Sequence, residues 1–109
     1  MLVEQRIYTV APGRLGEYVA HYRENGLAIQ KSILGHLVAY YTTRRDERDV
    51  VVHMWAYDSM EAREERRARL EADPAWQAYR KTLKGFVESK ESWILHPASF
   101  SPAPAGAPE

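Results

Sequence analysis

Val50 to Arg63 reads V-V-V-H-M-W-A-Y-D-S-M-E-A-R, a strand that runs straight into a helix start. At period two, Val50, Val52, Met54 and Ala56 fall on one face and Val51, His53, Trp55 and Tyr57 on the other. An imidazole, an indole and a phenol therefore project together, on a surface that other parts of the chain must cover. Asp58 and Ser59 follow with the side-chain oxygens that cap a helix.

Working outward, the rest of the chain gives the order strand, helix, strand, strand, helix, strand. Leu2 to Val10 is rich in β-branched residues and ends at the turn pair Pro12-Gly13. Leu15, Tyr18, Val19, Tyr22, Ile29 and Ile33 have helical spacing, which Asn25-Gly26 breaks into a long helix and a short one, and Gly35 reads as the closing cap. His36 to Thr43 is the second strand, and the charged stretch R-R-D-E-R-D is a solvated hairpin turn into the third. Ser59 to Asp73 is a charged helix with few apolar positions, chiefly Met60 and Leu70. Asp73-Pro74 restarts a helix with Trp76, Tyr79 and Leu83 as its buried stripe. Glu88 to Pro97 is the fourth strand. The organisation expected is one domain over residues 1–97 and a mobile Pro/Ala-rich tail over 98–109.

This β-α-β-β-α-β order predicts an α+β, ferredoxin-like fold, a four-stranded antiparallel sheet with the helices on one face. The other face then lies open, yet the second and third strands are apolar or aromatic on both sides: Leu37, Ala39 and Tyr41 against Val38 and Tyr40 in the second. A sheet wet on one side alternates apolar with polar, so this one calls for a cover, and a second copy of the chain is the simplest. A standard interface buries about 1,600 Å² in total. Its apolar share, at about 25 cal/mol per Å², offsets a large part of the cost of association. A homodimer with its sheets face to face is expected.

Composition excludes several classes. Lys plus Arg and Asp plus Glu number 15 each in 109 residues, well mixed along the chain, which argues against nucleic acid or an anionic membrane as partner. There is no cysteine, hence no disulfide framework, thiolate nucleophile or cysteine zinc site. The N-terminal M-L-V-E-Q-R-I-Y places charges where a signal peptide needs an apolar run, and no membrane-spanning stretch follows. A soluble, cytoplasmic protein is the expectation. His21, His36, His53 and His96 lack metal-ligand spacing, so no protein-built metal site is expected. Nucleotide-binding glycine patterns and a nucleophile elbow are also missing.

Four blocks carry a resemblance. V-E-Q-R-I-Y-T-V-A-P-G-R-L from Val3, G-H-L-V-A-Y-Y-T-T from Gly35, V-V-H-M-W-A-Y-D-S from Val51 and A-D-P-A-W-Q-A-Y from Ala72 are, in order, similar to the NIPSNAP family. The likeness implies a dimeric α/β barrel, in which two ferredoxin-like domains pair their sheets. It implies no defined activity. The wider barrel superfamily includes cofactor-free monooxygenases, small isomerases and cyclases, and haem-binding enzymes, among which fold likeness does not choose.

The candidate site follows from the central strands. First and third strands are neighbours in this order, so Arg6 and Tyr8 can meet His53 and Trp55 across the ladder. Arg6 is either paired with a carboxylate such as Glu4 or Glu91, or it anchors an anion or carbonyl oxygen in a pocket. His53 is either a general acid or base or a core histidine held by one hydrogen bond. Trp55, Tyr40, Tyr41 and Trp93 would line a site for a flat apolar ligand, or else pack an interface. Tyr18, Tyr22, Trp76 and Tyr79 read as core. Haem, which needs only one axial histidine, stays open as a cofactor. The expected function is thus small-molecule binding by a homodimer, with a cofactor-independent monooxygenase, isomerase or cyclase and a non-catalytic interaction module as alternatives.

Overall fold

A computed structural model describes residues 1–107, and the last two residues of the expected tail lie outside that range. Four strands, β1 (Leu2–Val10), β2 (His36–Arg45), β3 (Arg48–Tyr57) and β4 (Val87–Leu95), form one antiparallel sheet in the order β2-β3-β1-β4. Four helices cover one of its faces: α1 (Leu15–Asn25) and α2 (Leu27–Leu34) link β1 to β2, and α3 (Met60–Ala72) and α4 (Pro74–Lys81) link β3 to β4. The expected β-α-β-β-α-β order holds once each helical link is counted as a broken pair.

The breaks follow from local chemistry. Gly26 lies between α1 and α2 because Tyr79 of α4 needs the room: a Cβ on Gly26 would stand 2.7 Å from the Tyr79 ring. Gly35 ends α2 in the left-handed region at φ 91°, and Arg66 of α3 donates from Nη1 to the carbonyls of Ile33 and Leu34 that the helix end leaves free. Ser59 caps α3 by accepting from the N–H of Ala62 at 3.1 Å, and Asp73 caps α4 through Trp76 at 2.8 Å, with Pro74 in the first turn. The charged hairpin is a two-residue turn in which Asp46 and Glu47 both have positive φ, the mirror-image geometry that matches strand twist.

Register decides which side chains meet. Arg6 lies opposite His53 across β1 and β3, with Glu4 opposite Trp55. On β2, Tyr40 pairs with His53 and Leu37 with Trp55, although they are three apart, because the register shifts between Leu37 and Ala39. This corrects the strict alternation expected for the second strand: Leu37 and Tyr40 both face the helices. The helix-facing side of β3, from Val51 to Tyr57, is buried throughout. Leu2, Trp55 and Tyr57 join Tyr22, Leu34, Leu70, Trp76 and Tyr79 in one core, and Tyr8, Val10, Val51, Tyr18 and Phe86 form a second.

The open face carries Tyr41, 60% exposed, and Trp93, 56% exposed. The described part of the tail lies against one end of this face. Pro97, Phe100 and Pro104 border a shallow groove with Val3, Val38, Met54 and Leu95, and the carbonyl of Ala105 lies 2.8 Å from His36 Nε2. No helix among the described residues is long and apolar enough to cross a membrane.

Candidate functional site

Between helices and sheet lies a cavity of about 250 Å³. The sheet contributes Arg6 and Tyr8 from β1, Tyr40 from β2, His53 from β3 and Lys90 from β4. The helices contribute Tyr18 and Tyr22 of α1, Gln30 of α2, Arg67 and Glu71 of α3, and Trp76, Tyr79 and Arg80 of α4. Buried His53, Tyr8, Tyr22 and Tyr79 make the inner wall; exposed Glu71, Arg80 and Lys90 make the mouth.

His53 is 1% exposed and held on three sides. Tyr40 stacks on its ring at 4.9 Å, Tyr8 meets it edge-on at 4.8 Å, and Trp55 donates from Nε1 to Nδ1 at 2.8 Å. An indole N–H can only donate, so Nδ1 must accept, and the single proton of the neutral ring sits on Nε2. Nε2 is buried with no partner among the described residues. Burial, helped by the charges of Arg6, Arg67 and Lys90, pushes the imidazolium pKa down to about 3, so the ring is neutral at physiological pH.

Arg6 resolves toward Glu4 and at the same time toward the cavity. Its Nη1 is 3.3 Å from Glu4 Oε2, its Nε donates to the Tyr8 hydroxyl at 2.9 Å, and Arg63 of α3 donates to the same Glu4 oxygen at 2.6 Å. Burial works to raise the Glu4 pKa, but the Arg63 hydrogen bond and the charges of Arg6, Arg63 and Arg67 outweigh it and keep the carboxylate ionised. Glu91, the other carboxylate considered for Arg6, pairs with Ile7 in the ladder and accepts from Trp93. Burial raises the pKa of Tyr18 to about 12 and lifts Tyr22, Tyr40 and Tyr79 further, so these phenols stay protonated.

Of the residues singled out in the sequence, the structure brings Arg6, Tyr8, His53 and Tyr40 to the cavity. Trp55 lies behind His53 as its hydrogen-bond donor, completely buried, and does not line the space. Tyr41 and Trp93 do not belong: both are exposed on the opposite face. Conversely, Tyr18, Tyr22, Trp76 and Tyr79, read as core, are buried and also wall the cavity.

The sequence reading missed Arg63 and Arg67. A usable signal was present: Met60, Arg63, Arg67 and Leu70 recur at spacings of three and four, so the arginines occupy the inward stripe of α3. Haem does not fit. A cavity of about 150 Å³ holds one benzene ring, and 250 Å³ has no room for a macrocycle of four pyrroles beside His53. Among the described residues no cluster of three or more His, Asp or Glu is placed to hold a metal ion.

The sheet order and helix placement define an α+β protein of ferredoxin-like type, and comparison with solved structures agrees. A dimeric ferredoxin-like protein from an uncultured marine organism matches 91% of this chain and 96% of its own with a TM-score of 0.68, at 14% identity, a likeness of fold alone. Closer likenesses narrow the class. A NIPSNAP family protein from Agrobacterium tumefaciens is 44% identical, covering 93% of this chain and 96% of its own, with a TM-score of 0.88. An uncharacterized NIPSNAP-like domain protein from Burkholderia xenovorans is 38% identical over 99% of this chain and 94% of its own, with a TM-score of 0.90. The NIPSNAP family profile matches residues 3–102, and the chain belongs to that family. A second Agrobacterium tumefaciens NIPSNAP protein, 39% identical over 94% of this chain and 92% of its own at a TM-score of 0.89, is of unknown function. No curated protein matches the chain.

Proposed function

We propose that this NIPSNAP protein acts as a homodimer, its two sheets packed face to face as an α/β barrel, and that each subunit binds a small, largely aromatic molecule in the cavity above His53. The observation that carries the reading is the cavity itself: it is walled by the rings of Tyr8, Tyr22, Tyr40 and Tyr79 and reaches inward to a buried imidazole. A purely structural core would fill such space. The dimer is supported by Tyr41 and Trp93, large rings left exposed on the sheet face that no helix covers.

A second reading makes the same cavity catalytic: a cofactor-independent monooxygenase, isomerase or cyclase, with Arg6 and Tyr8 holding a substrate oxygen and His53, expected from sequence to transfer protons, confined by its Trp55 hydrogen bond to donating from Nε2–H. The Arg6 to Tyr8 hydrogen bond at 2.9 Å favours it, because it aims a charge-assisted hydroxyl at the space. Native mass spectrometry of freshly purified protein tests the first reading. A dimer with retained small-molecule mass is the expected result; a monomer overturns the dimer, and a bare dimer shifts the weight to a non-catalytic interaction module. Turnover that His53→Ala abolishes while the dimer persists supports the catalytic reading.

A further inference from the structure

The polar atoms around the cavity are not evenly divided between donors and acceptors. Four acceptors at the cavity are already engaged. His53 Nδ1 takes the indole N–H of Trp55, the Tyr8 hydroxyl takes Arg6 Nε, Gln30 Oε1 takes the Tyr22 hydroxyl at 2.6 Å, and Glu71 Oε2 takes Arg80 at the mouth. Donors, by contrast, are left over. Among the described residues, buried side-chain atoms without a partner include His53 Nε2, Arg67 Nη1, Trp76 Nε1 and the Tyr79 hydroxyl, and all four residues line this one cavity. Each can donate, and for the histidine this follows from the Trp55 hydrogen bond, not from its pKa.

Charge points the same way. Arg6, Arg67, Arg80 and Lys90 line the space against the single carboxylate of Glu71. The carboxylate of Glu4, beneath, is shared between Arg6 and Arg63. A buried donor left unmade costs more than a made one contributes, so four of them together mark a place shaped for an acceptor.

We propose that the ligand is a ring-sized molecule carrying an anionic oxygen, a carboxylate or an enolate, held by His53 Nε2–H and Arg67 Nη1 with its ring among the tyrosines of the cavity wall. This deepens the small-molecule reading above and rests on it. It also gives His53 a definite part. The imidazole is a neutral hydrogen-bond donor of fixed tautomer, and not a base, because its one lone pair is committed to Trp55. An oxyanion that forms on a bound substrate would be met by a preorganised N–H in a site shielded from water. The space of 250 Å³ exceeds the roughly 150 Å³ that accepts a bare benzene ring, leaving room for one small oxygenated substituent.

The test uses the intact protein and matched probes: benzoate, phenylacetate and 4-hydroxybenzoate, each beside its neutral primary amide, titrated by calorimetry at pH 7. In parallel, long-range proton–nitrogen correlation of histidine-labelled protein reads the tautomer, with His53 assigned by replacing His21, His36 and His96 in turn. Expected are at least one acid binding tenfold or more tighter than its amide, and a His53 ring with pyrrole-type Nε2 and pyridine-type Nδ1. His53→Phe, which keeps a ring to stack on Tyr40, should weaken the acid tenfold and leave the amide unmoved. Amides that bind as tightly as acids would overturn the anion assignment while leaving the binding pocket intact. A proton found on Nδ1 overturns the donor role. If neither acids nor amides bind at millimolar concentration, the pocket reading falls and this inference goes with it.

Discussion

Trp55 and His53, two residues apart on one strand face, share a buried hydrogen bond of 2.8 Å from the indole nitrogen to Nδ1. The pair is local in sequence, so the geometry of β3 alone fixes the tautomer of the imidazole before any ligand arrives. Trp55→Phe removes the donor and leaves a buried acceptor unpaired. We expect a loss of about 1–3 kcal/mol in urea unfolding, and in the nitrogen spectrum a second His53 tautomer that wild type does not show. A variant whose histidine spectrum is unchanged would show that the hydrogen bond does not set the proton.

Acid should unfold the protein early. The folded-state pKa of His53 is depressed from 6.5 to about 3, so below 6.5 the unfolded chain binds a proton that the folded chain refuses. The stability from keeping the ring neutral is complete above 6.5 and drains away as pH falls toward 3. Glu4, whose folded pKa is also lowered, acts in the same sense at the acid end: its contribution is present above 4.5 and is lost as pH falls through the folded value. Thermal melts from pH 7.5 to 4 should show Tm falling from about pH 6.5, and His53→Phe should flatten the upper part of that slope. A flat Tm from pH 7.5 to 5 in wild type would contradict the burial of a neutral His53.

Glu4 is fully buried and holds Arg6 and Arg63, which are only partly so. Glu4→Gln leaves two guanidiniums facing each other without their counter-charge. The expected cost is about 2–4 kcal/mol, toward the lower part of the range for broken buried pairs because both arginines keep some access to water. Chemical unfolding of Glu4→Gln beside Arg63→Met and the double variant would read the coupling directly, and additive losses would mean that the pair does not interact.

Gly26→Ala looks stabilising from sequence, since it replaces a helix breaker with the best helix former. The structure predicts the opposite. The added methyl would stand 2.7 Å from Tyr79 Cζ and 3.0 Å from Tyr22 Cδ1, so an aromatic wall of the cavity must shift. Overpacking of this kind costs about 1–3 kcal/mol. A thermal melt at or above the wild-type Tm would show that α4 can move away freely.

Tyr41→Arg places charge on the edge strand β2 of the uncovered sheet face and touches nothing in the cavity. Sedimentation should show dimers giving way to monomers, while binding of a ring acid to whatever monomer remains folded is retained. An unchanged dimer would put the interface elsewhere.

Much of the fold was legible because helix and strand periods are written in side chains, and punctuation such as Asp73-Pro74 and Gly35 falls where the elements end. Arg6, Tyr8 and His53 were legible as a group for the same reason, since period two and the strand order place them on one face. The assignment of Tyr41 and Trp93 to a lining failed for reasons of geometry. One extra residue in β2 shifts the pleat, and β4 turns Trp93 to the face without helices. The arginines of α3 were hidden by their own chemistry: a charged residue in a helical stripe reads as surface until a buried carboxylate such as Glu4 is found to receive it.

The irregularity in β2 has an effect out of proportion to its size. With Leu37 committed to the core, an unbroken pleat would send Tyr41 inward and Tyr40 to the outside; with Val38 as the extra residue, the opposite happens. Two adjacent, chemically identical phenols are thereby sorted into one dry and one wet position by a single residue that contacts neither the imidazole nor the open space beside it. Deleting Val38 would let the pleat run unbroken with Tyr40 still inside, and inserting one more residue beside it would do the same, because either change restores regular alternation between Leu37 and Tyr40. The break in the pleat at this point, more than the identity of any side chain, selects which tyrosine a ligand would meet.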